Sequence, residues 1–158
     1  MKLLSFAIPC YNSAEYMEKC IKSCLAGGDD VEVIIVDDGS TKDNTLEIAR
    51  KYEEKYPHIV KAVHQENGGH GQAVNTGLAN ATGVFFKVVD SDDWVDKKAY
   101  KTLLKKIKKI DSDLIIMNYV YTYTDGRINQ TISFKNVFKE NEEMTWDEMK
   151  KFKPTQYL

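Results

Sequence analysis

The sequence predicts an α/β fold, a mainly parallel sheet flanked by helices with a C-terminal hairpin, on three observations. Short apolar runs recur along the chain, segments of helical spacing lie between them, and the rhythm turns to hairpin spacing after Val120. The runs are nearly continuous rather than alternating, as expected for strands covered on both faces.

Leu3 to Ile8 is the first strand, and Met17, Cys20, Ile21, Cys24 and Leu25 then mark a helix that Gly27-Gly28 can end. Val31 to Val36 follows, with a helix through Leu46, Ala49, Tyr52 and Tyr56 that Asp43 or Asn44 can start and Pro57 follows. Ile59 to Val63 and Val84 to Val89 flank a helix through Ala73, Val74, Gly77 and Leu78. A fourth helix carries Tyr100, Leu103, Leu104, Ile107 and Ile110, and Leu114 to Val120 is a fifth apolar run. Tyr119 to Tyr123, a turn at Asp125-Gly126 and Ile128 to Phe134 suggest the hairpin, and a short helix is expected around Trp146 to Phe152.

Composition narrows the function. Apolar residues make up 42% and charged residues 29% of the 158, the ordinary mixture of one soluble globular domain. A net charge of −2 supplies no global positive field, which argues against a nucleic-acid partner. No signal peptide or membrane span is read, so a cytoplasmic setting is expected. Cys20 and Cys24 share the first helix's apolar stripe and read as core, and with Cys10 they lack zinc-site spacing.

In an open parallel sheet ligands bind beyond the carboxyl ends of the strands. Those ends deliver Pro9-Cys10-Tyr11-Asn12, Asp37-Asp38-Gly39-Ser40-Thr41, Asn67-Gly68-Gly69-His70-Gly71 and Asp90-Ser91-Asp92-Asp93-Trp94. In extended backbone Asp90 and Asp92 point to one side, and two carboxylates there repel unless a hard cation such as Mg²⁺ or Mn²⁺ sits between them. The alternative is a turn with a helix cap before Lys97.

Asp37-Asp38 is read as a strand-to-helix turn, or as an acceptor for a base edge or ribose. Tyr11 offers a ring to stack on a flat ligand, or packing. The glycine loop permits close approach, and the helix after it can receive negative charge. His70 is read as a turn residue or ligand contact, with a general base as the other possibility. Neither G-x-G-x-x-G after the first strand nor G-x-x-x-x-G-K-[ST] occurs, which disfavours NAD and excludes a P-loop. An aspartyl phosphatase would need D-x-D where Pro9-Cys10-Tyr11 stands. The seven lysines from Lys97 to Lys109 are a solvated face or an attraction to an anionic membrane.

In their order and spacing from Leu3 to Trp94, these four segments resemble the family 2 glycosyltransferases of the GT-A (Rossmann-like) fold. The resemblance implies one domain over residues 1–158, with a donor-binding half at 1–95 and a partial acceptor half at 96–158. It also implies a metal-assisted, inverting transfer from a UDP-sugar to the hydroxyl of a carbohydrate or lipid-linked acceptor. Pro9, Tyr11 and Asp38 would surround uracil and ribose, with Asn12, Asn67 and Asp90 completing the nucleotide-binding set. Asp90 and Asp92 would form the D-x-D element, Asp92 the direct ligand of Mn²⁺ or Mg²⁺.

Two departures accompany the resemblance. The family's base is expected further along than residue 158, and Ala73-Val74-Asn75 stands where Ala-Arg-Asn is usual. The leading expectation is an enzyme of cell-surface polysaccharide synthesis at the inner face of the membrane. The alternative is a donor-binding module without catalysis.

Overall fold

A computed structural model describes residues 1–149. They form two compact units, one from Met1 to Ile110 and one beginning at Asp111. The first unit is a four-stranded parallel sheet of β1 (Leu4–Cys10), β2 (Val31–Asp38), β3 (Val60–Gln65) and β4 (Phe85–Val88), in the order β3-β2-β1-β4. Helices α1 (Met17–Cys24), α2 (Thr45–Lys55), α3 (His70–Ala79) and α4 (Lys97–Ile107) make the crossovers and the flank.

The apolar runs are continuous because the central strands have no solvent face. Every residue of β1 is buried. Phe6 meets the ring of Tyr100 from α4 edge-on at 5.4 Å, and its neighbour Ala7 faces α3 on the other side of the sheet. At that second contact a Cβ on Gly77 would lie 2.5 Å from the Cβ of Ala7, so only glycine lets α3 come so close. Ile34, Val36 and Ala73 complete this layer. On the α1 side Met17, Cys20, Ile21 and Cys24 are fully buried, and the cysteines are core.

The chain leaves β2 for β3 on one side of β1, then crosses to β4 on the other. Where strand order reverses like this, adjacent loops diverge and open a crevice at the carboxyl ends.

The second unit holds the hairpin, β5 (Tyr119–Tyr121) paired antiparallel with β6 (Gln130–Ile132), closed around Gly126 at φ 86°. Arg127 is bonded to Asp125 and lies on the Tyr123 ring. The fifth apolar run is not a strand of the parallel sheet. Only its end, from Tyr119, is extended and paired, while Leu114, Ile116 and Met117 are exposed. An apolar run reports a tendency to be covered without naming a partner strand. Helix α5 is Trp146–Met149, and the rest of the expected helix lies outside the described residues.

Candidate functional site

The four strand tips enclose a cleft of about 450 Å³. Six residues picked from the sequence line it: Pro9, Tyr11, Asp38, Asn67, Asp90 and Asp92. Asn12 does not. Its amide oxygen accepts the N–H groups of Thr41 and Lys42 at 3.2 and 3.0 Å, and its own N–H goes to Ser40. Asn12 therefore ties the first loop to the second, at a φ of 49° that asparagine tolerates better than most residues.

Of the adjacent carboxylates on β2, strand alternation sends Asp37 and Asp38 to opposite sides. Asp37 is fully buried against His64, with Nδ1 to Oδ2 at 2.7 Å, and its Oδ1 accepts the Ser40 N–H. Asp38 reaches the cleft but is occupied there. Its Oδ1 accepts from Gln65 Nε2 at 2.7 Å and the Gly68 N–H at 2.9 Å, and its Oδ2 accepts the Gly69 N–H at 2.9 Å. The glycine loop is thus held by a carboxylate on the neighbouring strand. Gly39 makes room for it, since its φ is 70° and a Cβ there would meet the Asn67 nitrogen at 2.8 Å. Gln65 Oε1 is buried without a partner among the described residues, the cost of pointing the amide nitrogen at Asp38.

The acidic run is not the extended backbone that would point Asp90 and Asp92 to one side; it forms the alternative, a turn followed by a helix cap. Asp96 is the cap before Lys97, accepting the Ala99 N–H at 2.7 Å. Ser91 makes a buried contact with Ser13 Oγ at 3.0 Å. The Asp93 N–H bonds the Asp90 carbonyl at 2.9 Å, and this turn, rather than strand alternation, brings Asp90 and Asp92 to the cleft. The Asp93 carboxyl is held above its ordinary value by burial, then by the charges of Asp92 and Asp90. Asp90 Oδ1 meets His70 Nε2 at 2.8 Å.

Sequence reading passed over Ser13, Tyr16 and Ser91, which also line the cleft. Small hydroxyls and a lone tyrosine carry no periodic signal. Cys10 lines it too, but burial first, then Asp37 and Asp43, push its thiol up to about 12, so it is no nucleophile at neutral pH.

Among the described residues no group of three or more His, Cys, Asp or Glu could hold a metal by itself. Asp90 and Asp92 nevertheless suit a hard divalent ion that takes its remaining oxygens from a ligand. They are exposed, their donors are oxygen, and their mutual field is already felt at Asp93.

Comparison with known proteins gives one family. The profile described as "Glycosyl transferase family 2" matches residues 5–156. Glycosyltransferase GlyG of Streptococcus pneumoniae serotype 4 is 38% identical over 128 residues, 79% of this chain and 42% of that protein. The structure of S. aureus TarS 1-349 in complex with UDP superposes with a TM-score of 0.58 at 37% identity, covering 69% of this chain and 32% of that one. Mannosyltransferase PcManGT from Pyrobaculum calidifontis, in complex with GDP-Man and Mn²⁺, gives 0.58 at 29% identity, covering 70% and 32%. The chain spans less than half the length of each of these three proteins.

Proposed function

The chain belongs to glycosyl transferase family 2, and from that premise we propose that its cleft binds a nucleotide-diphosphate sugar, a UDP-sugar, for metal-assisted transfer of the sugar to an acceptor hydroxyl with inversion. One observation carries this reading: loops from four strands bring an aromatic ring, a carboxylate-braced glycine loop and two exposed aspartates into a single cleft. UDP bound to TarS and GDP-Man with Mn²⁺ bound to PcManGT support it.

Each residue then has a task. Tyr11 stacks on the base beside Pro9. Asp38 holds Gly68 and Gly69 where their loop meets the nucleoside, and Asn67 contacts the same part. The first turn of α3, opening into the cleft at His70, faces the diphosphate with the N–H groups that precede its first intrahelical bond, from Ala73 to the Gly69 carbonyl. Asp92, with Asp90, would hold Mn²⁺ or Mg²⁺, which when bound neutralises charge on the leaving diphosphate. On this reading residues 1–95 are the donor half and the chain from 96 is part of the acceptor half.

A second reading, a donor-binding module without catalysis, rests on the carboxylates lining the cleft. Among the described residues these are Asp38, Asp90 and Asp92, all engaged above, which leaves none of them for the acceptor's proton. Titration of UDP by calorimetry with and without Mn²⁺, beside donor hydrolysis and transfer assays, decides. Metal-dependent binding with transfer supports the enzyme, binding without turnover the module, and absence of binding refutes both.

The acceptor is proposed to be a carbohydrate or a lipid-linked one, in cell-surface polysaccharide synthesis at the inner face of the membrane. Among the described residues no helix is long and apolar enough to cross a membrane. Helix α4 turns Tyr100, Leu104 and Ile107 inward. The remainder of its surface bears lysines with no acidic residue between Lys97 and Ile110, the chemistry of a peripheral contact with anionic lipid.

A further inference from the structure

The contact between His70 and Asp90 joins the first residue of α3 to the loop after β4, 20 residues on. It is the third link of a chain across the cleft. Asp38 holds the N–H groups of Gly68 and Gly69, Gly69 leads into α3, and the next residue, His70, reaches over to Asp90. That last link adds little to the stability of the first unit. Both side chains are more than half exposed, at 64% and 53%, and exposed pairs add little to stability. What the link does determine is the carboxylate's orientation. With Oδ1 bonded to His70, the carboxylate of Asp90, a residue that lines the cleft, is restrained in its rotation.

We propose that His70 is the positioning residue of the donor site: through Nε2 it orients Asp90 so that the nucleoside side of the cleft, braced at Asp38, and the cation side, at Asp90 and Asp92, are set at one spacing. This deepens the nucleotide-sugar reading and rests on it. The physical basis is preorganisation, because a carboxylate already turned to its task does not have to be ordered when the cation and diphosphate arrive. His70 touches no reacting atom in this role. Its effect passes through Asp90.

The geometry specifies the test. Glutamine can place its amide nitrogen about where Nε2 of histidine lies, whereas asparagine reaches only the Nδ1 position. UDP is titrated by calorimetry into the wild type and into His70→Ala, His70→Gln and His70→Asn, with and without Mn²⁺, and melting midpoints are taken without ligand. The expected result is a loss of about tenfold in Mn²⁺-dependent UDP affinity for His70→Ala and His70→Asn, and recovery to within about threefold of wild type for His70→Gln, at unchanged midpoints. Unchanged or tighter binding by His70→Ala overturns the proposal. So does rescue by asparagine as good as by glutamine. Equal loss in all three variants overturns it in favour of direct contact between the imidazole and the ligand. A wild type that does not bind UDP with Mn²⁺ sinks the nucleotide-sugar reading itself, an outcome separate from these.

Discussion

Asp38 Oδ2 accepts the backbone N–H of Gly69 at 2.9 Å, a bond between the tip of β2 and the residue that opens α3. The other oxygen of the same carboxylate holds Gly68, so a buried side chain shapes the loop that borders the cleft. The shape of the cleft and the stability of the loop therefore share one group.

Asp38→Asn should lose both. Whichever way its amide turns, an N–H₂ group faces either the Gly69 N–H or the two donors at Oδ1, setting donor against donor. We expect a stability loss of about 1–3 kcal/mol by urea denaturation, the cost of leaving buried polar groups unpaired. UDP affinity should fall at least about tenfold. A variant as stable and as tight as wild type would show that the loop does not need the carboxylate.

Asp92→Asn should separate binding from folding. Asp92 is exposed and caps nothing, so the unliganded melting curve should stay within about 0.5 kcal/mol of wild type. UDP affinity measured with Mn²⁺ should drop to the metal-free value. Unchanged affinity would remove Asp92 from the ligand set.

Gly77→Ala tests the contact that seats α3. Alanine is better in a helix interior by up to about 1 kcal/mol, but overpacking a core costs about 1–3 kcal/mol. The steric cost should win, because the obstacle is the Cβ of Ala7 on a central strand and cannot rotate away. The denaturation midpoint should therefore fall. An increase would show that α3 can shift on the sheet.

Glu32 supplies an acid dependence. Burial opposes its ionisation, but hydrogen bonds from Ser5, Thr82 and Gly83 outweigh it and hold the carboxyl below its ordinary 4.5. A depressed folded value gives stability that is complete above the unfolded value and is lost as pH falls through the folded one. Stability should thus decline below about pH 4.5, and Glu32→Gln should be less stable at neutral pH with a shallower acid slope. Parallel pH profiles for the two proteins would overturn the assignment.

The lysines of α4 are tested by co-sedimentation with vesicles of phosphatidylglycerol and phosphatidylcholine. The wild type should bind in proportion to anionic lipid and be released by salt. The variant with Lys97, Lys98, Lys101 and Lys105 all changed to Gln should bind on the order of tenfold or more weakly. Equal binding of the two would leave the lysines as a solvated face.

Much of the molecule was legible in residue order alone. Continuous apolar runs with helical spacing between them determined the parallel sheet, because a strand covered on both faces has no polar positions to alternate with. Placement of the acidic and glycine-rich segments after successive runs determined that they meet at one edge, since parallel strands carry their ends to the same side. Tertiary structure decided which groups within those segments face the cleft. Asp37 and Asp38 are equivalent in composition, and only strand register turns one to His64 and the other to the glycine loop. Asn12, chosen for the nucleotide, is used to clamp Thr41 and Lys42, and His70, left open as turn or contact, meets Asp90. The fifth apolar run looked like the others and did not join the parallel sheet. The physical reason is common to all of these: periodicity reports how often a residue is covered, whereas hydrogen bonds spanning 20 to 31 positions depend on which strands pair, and no local pattern encodes that.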